Sequence, residues 1–321
     1  MIEHLKSVCG FEVREVCGTL DVSPSGFYAH RHKDQRPRRC QDRVLAVAVQ
    51  SAFEQSQNTY GSPRLVRALR RQGLNTSKTR VRRLMTSAGL CPRQKRRVRV
   101  KTTRSNLHLP VAPHLLLDAP PCQGPGERFY SDITYIPTQE GWLYLAATVD
   151  GYSRRCAGWS AGDNMETPLV LRAVTRALEG ATAALHPRDR GSQYASELFR
   201  DFLGQQGVLQ SMSRRGICYD NAAMESFWAT LKTECFDNFR SGIPATRQEA
   251  RQSLFRYIEL FYNSKRLHSA LGYCSPAEFE TTYDKKRRKT FRLSCPHNQG
   301  KISLAGRLIA GVRQRQRVRV R

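Results

Sequence analysis

The 321-residue chain is 40% apolar, enough for about two ordinary domains, and it carries 53 Lys and Arg against 27 Asp and Glu, a net charge of +26. No stretch approaches the ~20 apolar residues of a membrane span, charges interrupt residues 1–20, and ten scattered cysteines include no Cys-x-x-Cys pair. A membrane protein, an exported chain, a zinc knuckle and a disulfide framework are thereby excluded, and reduced thiols in a cytoplasmic protein are expected. The charge is unevenly placed. Residues 1–128 hold 24 Lys and Arg against 9 Asp and Glu, residues 129–284 hold 16 against 18, and residues 285–321 hold 13 against none. A nearly neutral centre between two cationic arms suits a polyanion that the arms grip and the centre acts upon.

In chain order, residues 12–29 read as a short helix, a turn at Asp21-Val22-Ser23 and a second helix from Pro24, either the end of a partial helix-turn-helix unit within residues 1–50 or an ordinary helical hairpin. Residues 51–105 form a second helical module. Leu65, Ala68 and Leu69 share one face, Gly73 and Asn75 stop that helix, and Ser77 caps another bearing Val81, Leu84, Met85 and Ala88 inward. The outer faces of that helix carry Lys78, Arg80, Arg82 and Arg83, which suits DNA contact. From Arg93 to Arg104, seven of twelve residues are Lys or Arg without helical period, a run expected to order along a phosphate backbone. Arg82, Arg83, Arg93, Lys95, Arg96, Arg97, Arg99 and Lys101 are therefore candidate DNA contacts. Prolines from Pro110 to Pro125 mark residues 106–128 as a linker.

Residues 129–284 alternate strand and helix. Strands are expected at 129–136, 142–149 and 155–160, then a helix at 167–178, a strand at 183–186, a helix at 196–206 with Leu198, Phe202 and Leu203 inward, and a strand at 209–212. Glu225 sits in an amphipathic helix whose buried stripe is Met224, Phe227, Trp228 and Leu231. Thr246-Arg-Gln-Glu249 is a capping box leading into Leu254, Tyr257, Ile258 and Phe261. The acid-free stretch 285–321 reads as a basic tail, disordered until bound. Asp150 reads as a turn residue, and His268 is open between DNA contact and packing.

Three acids stand out. Asp132 lies in a strand, Asp189 follows one, and Glu225 lies on a helix after 35 intervening residues. Carboxylates converging from rigid elements are hard ligands for Mg²⁺, and two such ions can clamp both oxygens of a phosphodiester displacement. By spacing alone the three could equally be surface acids.

The motifs Tyr60-Gly-Ser-Pro-Arg64, Val81-Arg-Arg-Leu-Met85, Asp132-Ile-Thr-Tyr135, Gly141-Trp-Leu-Tyr-Leu145, Asp150-Gly-Tyr-Ser-Arg154, Asp189-Arg-Gly-Ser-Gln-Tyr194, Asp220-Asn-Ala-Ala-Met-Glu-Ser-Phe227 and Leu271-Gly-Tyr273, in that order, resemble the second-reading-frame product (OrfB) of insertion-sequence transposases of the insertion sequence three family. The resemblance implies an α/β, RNase H-like (retroviral integrase) catalytic core, with an N-terminal helix-turn-helix-type DNA-binding region and a basic C-terminal tail. It implies Asp132, Asp189 and Glu225 as catalytic and metal-binding residues, two Mg²⁺ or Mn²⁺ ions, and Lys232 as a phosphate contact two turns beyond Glu225. The implied activity is metal-dependent DNA cleavage and strand transfer at the ends of a mobile element. The implied partners are DNA, further copies of the chain on DNA, and an upstream-frame product (OrfA), in a bacterial nucleoid setting. The family commonly has His-Ser before its second acid where this chain has Pro187-Arg188. That departure supports the rival reading of an inactive DNA-binding remnant or regulator.

Overall fold

A computed structural model describes residues 2–31, 37–93, 120–179, 185–188, 196–212, 222–236 and 243–294. The chain divides into two compact units, residues 1–278 and 279–321. Helices α1 (Ile2–Cys9), α2 (Val13–Thr19) and α3 (Pro24–Arg31) open the first unit. The α2–turn–α3 hairpin lies where Pro24 at a first helical position predicts it. Helix α2 buries Val13, Val16 and Cys17, whereas α3 buries none of its side chains.

Three further helices form the second module: α4 (Pro37–Gln55), α5 (Ser62–Arg71) and α6 (Lys78–Ser87). Leu45, Val49, Ala52 and Phe53 form the buried stripe of α4 at helical spacing. Ser77 caps α6 by accepting the Arg80 N–H at 3.2 Å, as its position before the apolar period predicts. Val81, Leu84 and Met85 are buried as expected, but Ala88 is exposed because it has passed beyond the helix as its C-cap. Asp42 of α4 takes Arg80 at 2.6 Å and Arg83 at 2.6 Å, locking α4 to α6. Both guanidinium hydrogen bonds hold its carboxyl below the usual carboxylate range.

The sheet begins with an antiparallel meander of β1 (Phe129–Thr138), β2 (Gly141–Asp150) and β3 (Cys156–Gly162). Asp132 lies opposite Ala147 in the β1–β2 register. After α7 (Thr167–Leu178) come β4 (Leu185–Arg188), α8 (Glu197–Gln205) and β5 (Leu209–Met212), with β4 and β5 parallel. A parallel bridge between Arg128 and Leu185 sets β4 beside β1, giving the spatial order β3-β2-β1-β4-β5. Helix α9 (Ala222–Phe236) follows, then α10 (Arg247–Phe255), which continues as a π-helix over Arg256–Asn263. A one-turn 3₁₀ segment, Ser269–Leu271, leads to α11 (Pro276–Ser294).

Alternation along β2 explains the layering. Leu143, Leu145, Ala147 and Val149 point to a core shared with α4, α5, α6, α9, α10 and the π-helix. Ala146 points the other way, to a core formed with α7 and α8. Gly158 is where α7 comes closest to the sheet, since a Cβ there would lie 2.1 Å from the Ala173 carbonyl oxygen. The helical module and the sheet are thus sewn into one hydrophobic cluster.

Three expectations change. Helix α8 buries Phe199 and Leu203 and packs Phe202 partly against the same core, whereas Leu198 is exposed; the ring contact of Phe199 with His186, at 5.8 Å, selects this phase. Strand β4 runs on through Pro187 and Arg188, which pair with Ser211 and Met212, because a parallel partner continues to face it. Residues 285–294, read as disordered tail, are helical as the end of α11, where Lys and Arg are good helix formers. Residues 295–321, with the run 94–104 and most of the proline-rich stretch, lie outside the described residues.

A buried carboxylate links the layers. Glu234 of α9 and Arg266 are 6% and 3% exposed and share two hydrogen bonds of 2.6 Å. Tyr257 donates to the same carboxylate at 2.8 Å, and Arg64 of α5 lies 3.9 Å from it. Tyr60 accepts the Leu267 N–H at 2.7 Å and donates to the Lys265 carbonyl at 3.3 Å. Removing one member leaves a buried charge without its partner. Glu234→Gln is expected to lower unfolding free energy by about 3 kcal/mol, read from the urea midpoint at unchanged slope.

His268 packs edge-on against the Tyr262 ring, with centroids 4.9 Å apart, and lies 3.4 Å from Arg266. Burial first, then the charges of Arg266, Arg64 and Arg154, lower its pKa from 6.5 to about 3. The open choice for this residue therefore falls to packing. The folded protein keeps His268 neutral while the unfolded chain takes up a proton below about 6.5, so its contribution is whole above that pH and is lost as pH falls toward 3. His268→Gln is expected to shrink the difference in urea midpoint between pH 7.5 and pH 5, relative to the parent protein.

Candidate active site

Asp132 lies mid-strand in β1, half-buried, where neighbouring strands fix its backbone. Its Oδ1 accepts the N–H of Ile133 at 2.8 Å, and its Oδ2 accepts the Trp228 indole N–H at 2.9 Å. Trp228 is buried on α9, three residues after Glu225 and four before Lys232. Residues three and four apart share a helix face, so this bond turns the face bearing Glu225 and Lys232 toward the Asp132 strand. Glu225 is exposed in the first turn of α9, where the helix dipole favours a carboxylate. The stripe of Met224, Phe227, Trp228 and Leu231 is buried as its period predicts.

Lys232 stands one turn beyond Trp228. Desolvation lowers the pKa of its ammonium, and the Asp132 charge acts in the opposite direction. Although the residue keeps an exposed surface, its charge therefore lies within the field of Asp132. Asp132 and Lys232 thus share the β1–α9 seam, and Glu225 lies on the same helix one turn before Trp228. Asp189 lies outside the described residues, as do Lys95, Arg96, Arg97, Arg99 and Lys101; the chain reaches Asp189 directly from Arg188, the last residue of β4. Among the described residues, no three His, Cys, Asp or Glu side chains gather as a metal site.

The other predicted DNA contacts divide. Arg82 is exposed on α6. Arg83 is engaged by Asp42, and the Nη1 of Arg93 donates to the Glu234 carbonyl oxygen of α9. Asp150 is a structural turn residue, as expected. Its buried carboxylate accepts the N–H groups of Gly126, Tyr152 and Ser153 at 2.6, 3.0 and 2.6 Å, and the Ser153 hydroxyl at 2.9 Å.

Two residues beside the site escaped the sequence reading. His186 is fully buried, with Nε2 2.9 Å from the Ser131 hydroxyl, which lies 2.7 Å from the Thr148 hydroxyl. This polar chain spans β4, β1 and β2 directly behind Asp132. Its signal was the placing of Ser131 next to Asp132 and of His186 directly after the apolar run Ala183-Ala-Leu185. Trp228 was visible as an apolar stripe residue, but its indole N–H needs a partner when buried, and only the fold identifies Asp132 as that partner.

Comparison with known proteins agrees with this architecture. A family model described as an integrase core domain matches residues 123–218, a second of that description matches 206–276, and an HTH-like domain matches 39–98. The chain is 39% identical over 271 residues to the insertion element IS600 uncharacterized 31 kDa protein of Shigella sonnei, covering 84% of this chain and 98% of that protein. It is 36% identical over 256 residues to the transposase for insertion sequence element IS904 of Lactococcus lactis, covering 78% and 98%. It is also 36% identical over 283 residues to the transposase InsF for insertion sequence IS3A of Escherichia coli, covering 84% and 94%. With more than a third of positions shared along nearly the whole of each relative, the chain belongs to the insertion-sequence transposases of the insertion sequence three family.

Proposed function

We propose that this transposase cuts and rejoins DNA at the ends of a mobile element through three carboxylates: Asp132, Asp189 and Glu225. The observation that carries the reading is the Trp228–Asp132 hydrogen bond of 2.9 Å, which ties the helix bearing Glu225 to the strand bearing the first acid. Support for the third member is positional: β4 lies beside β1 at the Arg128–Leu185 bridge, and Asp189 is the next residue after that strand. An inactive remnant is the less favoured reading, since the Pro187-Arg188 departure leaves the β4–β5 pairing in place.

The donor set is made of hard carboxylate oxygens, which suits Mg²⁺ or Mn²⁺. Bound divalent ions would polarise the phosphodiester and make the attacking water or 3′-hydroxyl a better nucleophile. The chain's own residues do the positioning. Trp228 fixes one oxygen of Asp132 and the Ile133 amide fixes the other. Glu225 enters from the first turn of α9. Lys232 sets a cation where an entering phosphate needs one, partly desolvated and therefore stronger in its attraction. Arg82 and the run from Lys95 to Lys101 would hold the duplex by its phosphates. In a cytoplasmic, nucleoid-bound setting the active species would be several copies on DNA, joined by the upstream-frame product. No helix among the described residues is long and apolar enough to cross a membrane.

The direct test is cutting of a labelled duplex carrying the element ends in Mg²⁺. Asp189→Ala is expected to abolish nicking and strand transfer while DNA affinity stays; equal nicking by the variant removes the assignment. Trp228→Phe keeps the ring and loses the N–H. It is expected to raise the Mg²⁺ requirement for half-maximal cutting by about tenfold, the usual scale for loss of a group that orients a metal ligand. DNA affinity should fall with salt at a log–log slope of about −5 if about six phosphates are neutralised, and a flat response would count against the cationic arms as the grip.

A further inference from the structure

Helix α5 carries four arginines, and three of them stand on one face: Arg64, Arg67 and Arg71, at i, i+3 and i+7. That face lies against the catalytic part of the chain. Arg71 grips the Glu278 carboxylate with both terminal nitrogens, at 3.0 and 3.1 Å, and donates to the Tyr273 carbonyl at 2.8 Å. Arg67 lies over the Tyr273 ring, 5.0 Å from its centroid, and Arg64 lies 3.9 Å from Glu234. Just before the helix, the Tyr60 hydroxyl bridges the Leu267 N–H and the Lys265 carbonyl, and its ring meets Phe261 at 6.3 Å. These polar links add to the apolar cluster that α4, α5 and α6 share with the sheet, α9 and the π-helix.

Helix α6 is fixed in turn to its neighbours. Val81, Leu84 and Met85 are buried in the same cluster, Asp42 joins Arg80 and Arg83 to α4, and Arg70 donates at 3.3 Å to the Thr76 carbonyl in the turn between α5 and α6. The face of α6 turned away from its buried stripe presents Lys78, Thr79, Arg82 and Thr86, all exposed. At i, i+1, i+4 and i+8 they span about 100° of the helix circumference. In a helix-turn-helix the second helix enters the major groove, where arginine pairs with guanine and threonine meets base edges. With one face of α5 laid on the core, α6 is the member of the pair that offers such a surface.

A reader on a flexible tether would let the catalytic acids reach cut sites over a range of distances. A reader bonded along a whole helix face does not. We infer that the helical module is a fixed gauge: α6 reads base pairs of the element end, and the α5 face sets how far they lie from the phosphodiester that is cut. This rests on the reading of the chain as a nuclease of element ends. Arg67 and Arg71 are then positioning residues, and Thr79 and Arg82 determine sequence specificity.

Full-length protein is tested on labelled duplexes carrying the element ends in Mg²⁺. Base-pair changes that cost the parent about tenfold in affinity, the scale of one bidentate base contact, and cost Arg82→Ala nothing mark what α6 reads. Base pairs are then inserted between that stretch and the cut. In the parent, one to three added pairs should lower cutting at the original position at least tenfold, and residual cuts should keep their distance from the stretch that is read. Adding a full turn, about ten base pairs, should not restore the original cut. In a variant combining Arg67→Ala with Arg71→Ala, cuts should spread over several phosphodiesters, and one to three added pairs should cost less than threefold. Exposed ion pairs contribute little to stability, so this variant should stay folded, which its urea midpoint checks.

An original cut that survives the insertions in the parent, or returns at a full turn, overturns the gauge while the cutting activity stands. So does a folded double variant as intolerant of insertions as the parent. If no base pair distinguishes Arg82→Ala from the parent, α6 is not the reader and the inference falls. Absence of any cutting by the parent defeats the reading beneath it, and the gauge with it.

Discussion

A charged carboxylate inside a protein persists only where every oxygen is answered, and Glu234 is the place where this chain meets that demand. Arg266 supplies two short bonds and Tyr257 a third, while Arg64 adds its charge from the helical module. Because these partners come from α5, α9, the π-helix and the segment after it, satisfying one side chain fixes four pieces of chain against each other. Burial raises the pKa of the Tyr257 hydroxyl well above its ordinary value, with the Glu234 charge adding to that rise, so the phenol stays a donor. The orientation of α9 is inherited by everything mounted on it, including Trp228, Glu225 and Lys232.

The sheet sets the other half of the geometry. The alternation of β2 sends Leu143, Leu145, Ala147 and Val149 toward the layer that contains α9, and Ala146 toward α7 and α8. Asp132, opposite Ala147, comes from a strand held on both sides by the polar chain Thr148–Ser131–His186. A carboxylate presented by a central strand and met by an indole from a packed helix has little freedom to swing. That rigidity is what a phosphoryl-transfer centre requires of its first ligand.

Much of this was written locally in the sequence. Helix α7 and strand β5 fall where apolar spacing predicts them, Ser77 and Thr246 cap the helices their positions announce, and the stripe of α9 is buried as its period demands. What escaped was set by long-range contacts. The phase of α8 was ambiguous because Leu198 and Phe199 each stand four residues before another apolar side chain, and the His186 ring on β4 meets Phe199 while Leu198 is left exposed. The partners Glu234 and Arg266 lie 32 residues apart with no periodic link. Arg93 and Arg83 look like their neighbours in a charge count, yet one is bonded to a helix end and the other to Asp42. Composition locates charge; only the fold says which charges are already occupied.

The π-helical stretch Arg256–Asn263 has a consequence for how this protein can change. Its widened turns bury Tyr257, Ile258, Phe261, Tyr262 and Asn263 together, and the Asn263 amide completes the edge of β3 by bonding both the N–H and the carbonyl of Cys156 at 3.0 Å. Loss of a single residue from this stretch would move Asn263 and the chain after it by one position against the sheet. The amide would leave the sheet edge unclosed, and Arg266 would turn away from its carboxylate. A substitution on the outer face of this stretch, as at the exposed Leu260, leaves every one of these bonds in place.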